Sequence, residues 1–346
     1  MKPALLLAAA LCAFAAPAYA THTAHEVRIA TADPQVVLAG TLLVPAGADT
    51  AVLMITGSGG HVRDAVISGT PMFRVIAERL ADAGIATLRL DDRGAGASTG
   101  PSARASTTAE RVEDMRAALE WLHATELAQF SRVGLLGHSE GASISARLGA
   151  GSERVEFIVL LGAPALPGRA VWVDQQLAGF RTHAGIHDPA VLADVEARLH
   201  RAVDLAVAGA SAEEMRDNTV ALFALGGIDL ETEEGAELLA GFTGRMTDPW
   251  MRHFLADDPG TALAALTRPL LAVYGSHDRL TSTRANGPTL VDALARAGNS
   301  DFTLRILPDE DHFFMRAPGR APGEHAFGQM VMSEALLDTV TRWLQR

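Results

Sequence analysis

The feature that most constrains the fold of this chain is a five-residue turn near its middle, Gly137-His138-Ser139-Glu140-Gly141. An apolar run at 133–136 precedes the turn, and a run of small residues at 142–146 follows it. The pattern predicts a buried strand, a very tight turn and a helix, which is the setting of the G-x-S-x-G nucleophile elbow. Such a turn strains the serine, so the positions two before and two after it must be nearly free of side chain. The Ser139 hydroxyl is therefore expected above a strand end; a Gly- and Ser-rich turn without chemistry is the alternative.

Strand and helix patterns alternate along most of the chain. A continuous apolar run, which is typical of a strand buried on both faces, occurs at 51–55, and further strands are predicted at 85–90, 133–136, 155–161 and 269–274. Segments with the apolar spacing of helices lie between these strands and at the C-terminal end. This alternation predicts an α/β fold with a mostly parallel central sheet and helices on both faces.

The alternation stops between about 169 and 267, where the sequence predicts several helices and no clear strand. Because the strand pattern resumes afterwards, we expect this segment to be an insertion, most simply a helical lid over the carboxyl ends of the strands. A separate domain is the alternative. The expected organisation is an N-terminal part of the core at 21–168, a helical lid or cap at 169–267 and a C-terminal part of the core at 268–346.

Residues 1–20 are not expected to belong to the fold. Lys2 supplies a positive start, 4–16 form a short apolar stretch, and Ala18-Tyr19-Ala20 forms a small-x-small cleavage site. This pattern predicts a secretory signal peptide, since the apolar stretch is shorter than the about 18 residues of a membrane span. The only cysteine, Cys12, lies in this segment, so the exported chain is expected to have no disulfide, thiol nucleophile or cysteine-ligated metal. We expect a periplasmic or secreted protein.

The charge balance of the chain is acidic. Its formal net charge is −12, from 41 Asp and Glu against 29 Lys and Arg. No basic patch is visible that could neutralise phosphates, which argues against nucleic acid as a partner. No further long apolar run follows the first segment, so no stable membrane anchor is expected.

A catalytic serine needs two partners, because its hydroxyl is a weak nucleophile that requires a base oriented by a carboxylate. In sheets of this kind the three residues follow the chain order Ser, then Asp or Glu, then His. Asp278 comes just beyond the strand at 269–274, and His312 comes just beyond an expected strand at 303–307. We therefore expect Ser139 to attack a carbonyl carbon, His312 to accept and return its proton, and Asp278 to hold the imidazole in the correct tautomer.

Alternatives stay open for two members of this triad. An Asp after a strand is more often a turn former or a helix cap, and His312 could be a solvated loop residue. His277 competes with His312 as the base, while Asp309 and Asp311 compete with Asp278 as the acid. Chain order and loop position favour Asp278 and His312.

The oxyanion of an acyl-transfer intermediate needs fixed N–H donors. The backbone amide of Glu140, directly after the nucleophile, is expected to supply one of them. The second is expected from the glycine-rich loop after the strand at 51–55, where Gly57 and Ser58 are the candidates. A phosphate-binding loop is the alternative, but the loop lacks the full G-x-G-x-x-G spacing and the Lys-Ser/Thr of a P-loop.

Other groups of polar residues predict no cofactor or metal site. Asp91-Asp92-Arg93 is interpreted as a structural turn with an internal Asp–Arg pair. Three histidines of the helical segment lack the spacing of common zinc sites and are expected to be exposed: His183, His187 and His200. Near the end of that segment, four residues are expected either to line an acyl pocket or to form ordinary packing: Trp250, Met251, Phe254 and Leu255.

Taken together, the motifs resemble those of the α/β-hydrolase superfamily, and more narrowly those of the bacterial serine aminopeptidase-like hydrolases that include exported or thermophilic carboxylesterases. The matching motifs are spread over nearly the whole chain after residue 20, at 55–59, 91–100, 137–141, 254–259, 275–278 and 311–314. The resemblance implies an α/β-hydrolase fold with a helical cap, and serine hydrolysis without a cofactor.

We therefore expect an exported serine hydrolase that cleaves small carboxylic esters through an acyl-enzyme. The helical segment shows no long apolar face, which favours short or medium acyl chains. Thioesterase, lactonase and peptidase activities are alternatives, because the same triad supports them. A non-catalytic binding protein with the hydrolase fold is a further alternative, against which the intact Ser139, Asp278 and His312 argue.

Overall fold

The structure is a computed structural model that describes residues 22–316 and 330–346. The signal peptide predicted at 1–20 lies outside the described residues. The described strands are β1 (His22–Ala30), β2 (Val37–Pro45), β3 (Thr50–Ile55), β4 (Val66–Ile67), β5 (Thr70–Pro71), β6 (Ala86–Leu90), β7 (Arg132–His138), β8 (Phe157–Leu161), β9 (Leu270–Gly275), β10 (Phe302–Leu307), β11 (Met315–Arg316) and β12 (Val331–Met332).

Helices alternate with these strands. They are α1 (Met72–Asp82), α2 (Thr108–Ala124), α3 (Glu140–Ala150), α4 (Gly168–Thr182), α5 (Pro189–Val207), α6 (Ala212–Leu225), α7 (Glu233–Met246), α8 (Pro249–Ala256), α9 (Gly260–Leu263), α10 (Thr283–Arg296) and α11 (Glu334–Leu344). The helix α10 contains Pro288 in its interior, where a proline is usually a breaker.

Eight strands form the central sheet, in the order β1-β2-β6-β3-β7-β8-β9-β10. The strand β2 pairs antiparallel with β1 and β6, and the pairs from β6 to β10 are parallel. The predicted mostly parallel sheet is therefore confirmed. Parallel strands end at the same edge, so the loops after β3, β7, β9 and β10 all lie along one edge of the sheet.

Helices cover both faces of the sheet. Alternate residues of a strand point to opposite faces, so neighbouring residues pack against different helices. Leu53 of β3 belongs to an apolar cluster with residues of α2, α3 and α10, whereas its neighbour Met54 belongs to a cluster with residues of α1 and α11. Every residue of β3 is buried. The sheet is thus the middle layer of three.

The six helices α4–α9 occupy the chain between β8 and β9, in the segment for which the sequence predicts helices and no strand. This helical segment has an apolar cluster of its own, which includes Trp172, Val195, Leu199, Leu222 and Met246. It is joined to the sheet part by Arg147 of α3, which lies 2.5 and 2.6 Å from the two carboxylate oxygens of Asp257.

Candidate active site

Ser139 lies between β7 and α3 in a strained turn. Its backbone angles are φ 57° and ψ −120°, a region that residues with a side chain rarely adopt. A Cβ on Gly137 would lie 2.1 Å from the carbonyl oxygen of Gly141, and a Cβ on Gly141 would lie 2.1 Å from that of Ile55. Neither position can hold a side chain, which is the steric pattern that the sequence predicts for this turn.

His312 and Asp278 are in contact at the carboxyl edge of the sheet. Nδ1 of His312 is 2.8 Å from Oδ2 of Asp278, and both side chains are buried. Asp278 follows β9 and His312 follows β10; these strands are parallel neighbours with Gly275 opposite Leu307. Neighbouring strand ends therefore bring the two loops together.

Asp278 is held in its ionised form. The amides of Leu280 and Thr281 donate to Oδ1 at 2.9 and 2.7 Å, and the Thr281 hydroxyl donates to Oδ2 at 2.8 Å. Burial by itself raises the pKa of Asp278, but the electrostatic effect of the adjacent His312 and the hydrogen bonds from His312 and Thr281 outweigh it, so the pKa lies below its usual value. An ionised carboxylate only accepts, so Nδ1 of His312 carries the proton and Nε2 is the acceptor.

The alternative candidates for the base and for its carboxylate partner have different surroundings. His277 and Asp309 are exposed. Asp311 is buried, and its Oδ1 accepts backbone amides of its own loop at 2.9 and 3.3 Å. It is Asp278 that lies within hydrogen-bond distance of the His312 imidazole.

His138, directly before Ser139, holds His312 in place. Nε2 of His138 is 2.9 Å from the carbonyl oxygen of His312, and the two ring centroids are 4.8 Å apart. Burial first, and repulsion from His312 second, lower the pKa of His138 to about 3, so the ring is neutral at pH 7 and donates from Nε2 to that carbonyl. Sequence reasoning missed this role, although a histidine at the end of a buried strand was a signal for it.

Three backbone amides near Ser139 are available to an oxyanion. The loop after β3 runs beside the elbow, and a Cβ on Gly57 would lie 3.2 Å from Cβ of Ser139. Across 22–316 and 330–346, the amides of Gly57, Ser58 and Glu140 donate to no protein acceptor. Because free amides at such a place can bind developing negative charge, all three predicted donors fit this role.

The buried side chain of Arg111, in α2, connects the loop after β3 with Glu140 of the elbow. Nη1 is 3.0 Å from the carbonyl oxygen of Gly57 and 2.9 Å from Oε2 of Glu140, and Nη2 is 3.1 Å from Oγ1 of Thr56 and 3.2 Å from Oδ1 of Asp92. Burial lowers the pKa of Arg111, but the carboxylates of Asp92 and Glu140 outweigh it and raise the pKa. Arg111 therefore stays charged and holds the loop of Gly57 against Glu140.

Trp250 of α8 brings the helical segment into direct contact with the elbow. Its indole Nε1 is 3.0 and 3.1 Å from the two carboxylate oxygens of Glu140. The Thr108 hydroxyl donates to the same carboxylate at 2.6 Å, and the Trp250 ring stacks on Phe254 with centroids 5.3 Å apart. Glu140 thus connects the elbow, α2 and the helical segment; the sequence offers no signal for this connection.

Ser139 and His312 line one cavity of about 280 Å³, together with Gly57, Ser58 and Glu140. The helical segment supplies much of its apolar wall: Val171, Trp172, Trp250, Met251 and Phe254. Three of the four predicted pocket residues therefore line the cavity, whereas Leu255 is buried in the packing of the segment itself. The volume is just below the range that is usual for small-molecule sites.

The internal pair expected in Asp91-Asp92-Arg93 is wrong. Successive residues at the end of a strand point in different directions, so each side chain meets a different element. All three pair with residues distant in the chain: Asp91 with Arg63 at 2.9 Å, Asp92 with Arg111 at 3.2 Å and Arg93 with Asp114 at 2.6 Å. The turn is nevertheless structural, since these pairs tie it to α2 and to the loop after β3.

The described residues contain neither a cluster of metal-binding side chains nor a helix that could span a membrane. No group of His, Cys, Asp or Glu that could hold a metal ion was found in the described part of the chain, where His183, His187 and His200 are exposed. In the same residues, none of the helices has the length and apolar character that crossing a membrane requires.

Comparison with known proteins gives one matching family model and two relatives by sequence that are named as an esterase and a lipase. The family model Hydrolase_4, described as "Serine aminopeptidase, S33", matches residues 49–194, which include the elbow. Esterase EstD of Thermotoga maritima is 22% identical over 311 residues, which are 89% of this chain and 65% of EstD. Monoacylglycerol lipase of Mycolicibacterium smegmatis is 27% identical over 270 residues, which are 78% of this chain and 81% of the lipase.

Solved structures share the fold. An esterase of Pyrococcus furiosus superimposes with a TM-score of 0.59 at 16% identity, covering 94% of this chain and 91% of the esterase. Est1E of Butyrivibrio proteoclasticus, solved with ferulic acid bound, gives a TM-score of 0.54 at 16% identity and covers 92% and 98% of the two chains. The family match, these relatives and the shared fold confirm the resemblance to the α/β-hydrolase superfamily that the motifs predict.

Proposed function

We propose that the protein is a serine hydrolase that cleaves carboxylic esters through an acyl-enzyme, with Ser139 as nucleophile, His312 as base and Asp278 as acid. The observation that carries this proposal is the 2.8 Å contact between Nδ1 of His312 and the ionised Asp278, because it leaves Nε2 as the acceptor. The relatives that bear the names esterase and monoacylglycerol lipase support the same reaction class.

The reaction then proceeds in two halves. Oγ of Ser139 attacks the ester carbonyl carbon while Nε2 of His312 takes its proton. The tetrahedral intermediate collapses, the C–O bond to the alcohol breaks, and His312 gives that proton to the leaving alcohol. Water next attacks the acyl-enzyme, His312 takes a proton from the water, and collapse releases the carboxylic acid and returns the proton to Ser139.

The amides of Glu140 and of the loop at Gly57 and Ser58 bind the oxyanion in both halves. This proposal is supported by their lack of other acceptors and by the position of Gly57 against Ser139. Arg111 holds the Gly57 side of this hole through the carbonyl oxygen, at 3.0 Å.

The helical segment acts as a lid over this site, and the preferred acyl groups are short or medium. Its residues form an apolar wall of the cavity, and the volume of about 280 Å³ has little room for a long chain beside the alcohol group. The segment also contacts the elbow through Trp250 and Glu140.

Hydrolysis of p-nitrophenyl acetate and p-nitrophenyl butyrate tests the proposal. We expect turnover by the wild type and none above background by Ser139→Ala, with folding compared by circular dichroism. Equal turnover by the variant would contradict the role of Ser139. Activity on thioesters, lactones or peptides alone would assign the same triad to another acyl group, and no turnover of any of these would favour a binding protein.

We also propose that the protein is exported, on the basis of the signal-peptide pattern in its first twenty residues. Amino-terminal sequencing of the protein recovered from the periplasm or medium of a bacterial host should then begin at Thr21. Recovery of unprocessed chain in the cytoplasm would contradict export.

A further inference from the structure

A second cavity, of about 370 Å³, lies within the helical segment beside the catalytic one. The two cavities share three lining residues, Trp172, Gln176 and Arg245. Aromatic rings wall the second cavity: Phe242 lies with its centroid 6.1 Å from that of Trp172 and 5.5 Å from that of Phe223. The partly apolar space inside the segment is therefore next to the cavity that Ser139 lines.

The charged side chains around the catalytic cavity are neutralised, with one exception. Glu140 pairs with Arg111 at 2.9 Å, and Asp257 pairs with Arg147 at 2.5 Å. Arg245 lines both cavities, yet within residues 22–316 and 330–346 its side chain makes no ion pair or hydrogen bond. Histidines aside, the cavity thus has one uncompensated charge, and it is positive in a chain of net charge −12.

Two acidic residues, Glu234 and Glu237, also line the second cavity but do not neutralise Arg245. All three lie on α7, and the rise of an α-helix places Glu237 about 12 Å and Glu234 about 16 Å from Arg245 along its axis. Neither carboxylate forms an ion pair with Arg245, and all three side chains are exposed, so solvent weakens the interaction between them. The junction of the two cavities stays positive.

We propose that Arg245 binds a carboxylate carried by the substrate, so that the preferred esters are anionic, such as half-esters of dicarboxylic acids. This inference rests on the proposed ester hydrolysis. The guanidinium group matches a carboxylate through two parallel N–H donors, and it always carries its charge. The scissile ester lies at Ser139, the carboxylate lies at Arg245, and the apolar chain between them lies against Trp172 and the second cavity.

The test compares two esters that differ only in charge, mono-4-nitrophenyl adipate and methyl 4-nitrophenyl adipate. We expect a higher kcat/KM for the anionic ester, and a ratio of anionic to neutral kcat/KM that falls about tenfold in Arg245→Gln. Arg245→Lys should restore part of the ratio, and added salt should lower it in the wild type. Arg216→Gln is the matched control: Arg216 is an exposed arginine of α6 that lines neither cavity.

Two results would overturn the inference: the same ratio in Arg245→Gln as in the wild type, or an equal fall in Arg216→Gln. Failure of the proposed function would look different, since neither ester would then be cleaved faster than by Ser139→Ala. Binding without turnover separates the two cases further. Calorimetry on Ser139→Ala should show monobutyl adipate binding about tenfold more tightly than on Ser139→Ala with Arg245→Gln; equal affinities would overturn the inference even if no ester is cleaved.

Discussion

The indole Nε1 of Trp250 lies 3.0 Å from Oε1 of Glu140, the residue that directly follows Ser139. This contact joins the helical segment to the elbow through the side chain of Glu140, whose backbone amide is proposed to bind the oxyanion. A movement of α8 therefore alters a hydrogen bond one residue from Ser139. The relationship makes the helical segment part of the site rather than only a cover for it.

Removing the indole N–H should slow the reaction more than it weakens binding. Trp250→Phe keeps a ring that can stack on Phe254, and we expect kcat to fall about fivefold, as for the loss of a hydrogen bond of about 1 kcal/mol. Combined with Glu140→Ala, the effects should be less than multiplicative, because both variants remove the same contact. Trp121→Phe, at a tryptophan of α2 packed against the sheet core, is the matched control. Fully multiplicative effects in this double-mutant cycle would show that the contact carries no coupling.

Loss of the Asp278 charge should disable the base. In Asp278→Asn the amide can no longer hold His312 with its proton on Nδ1, and we expect kcat for p-nitrophenyl butyrate to fall about a thousandfold or more with little change in KM. The control is Asp309→Asn, at an exposed position whose φ of 59° asparagine tolerates. If Asp309→Asn or Asp311→Asn lost the activity while Asp278→Asn kept it, the acid would be misassigned.

Acid should destabilise the protein through His138. Its pKa is about 3 in the folded state, against about 6.5 in an unfolded chain, so between these values the unfolded state binds more protons. The stability due to neutral His138 is complete above pH 6.5 and falls by about 1.4 kcal/mol per pH unit as the pH drops towards 3. Between pH 7 and pH 5, the free energy of unfolding measured with urea should fall by about 2 kcal/mol less in His138→Gln than in the wild type. An equal loss in both proteins would show that His138 is not the group that titrates.

Two glycine substitutions should have opposite effects on stability. Gly141→Ala places a Cβ 2.1 Å from the carbonyl oxygen of Ile55, and we expect it to lower the free energy of unfolding by about 3 kcal/mol or more. Gly244→Ala, in α7, places a Cβ with nothing within 4 Å and should raise that free energy by about 0.5–1 kcal/mol. Thermal unfolding of both variants measures the difference. A neutral Gly141→Ala would mean that the elbow is looser than the structure shows.

The features that the sequence predicts well are those set by local sterics and by strand ends. The glycines around Ser139 reveal the turn because nothing larger fits there, and the apolar runs reveal the buried strands. Asp278 and His312 could be located because parallel strands end at one edge, where their loops meet. Each of these inferences needs only a few neighbouring residues and the chain order.

The features that the sequence does not predict depend on pairing between distant elements. In the sequence, Arg111 does not differ from other charged residues of a helix. Its contacts with Gly57 and Glu140 follow only from how α2 packs beside the sheet. For the same reason Asp91-Asp92-Arg93 looks like an internally paired turn, although its partners lie on other elements. Charge partners cannot be chosen from spacing when several arginines and carboxylates are available.

The central claim is that Ser139 is a nucleophile activated by His312 and Asp278. Its most direct test is labelling of the folded protein with a fluorophosphonate probe, followed by digestion and mass mapping. We predict a single adduct on the peptide that contains Ser139, much slower labelling of Asp278→Asn and none of Ser139→Ala. An adduct on another residue, or no adduct on a wild-type protein shown to be folded, would contradict the account.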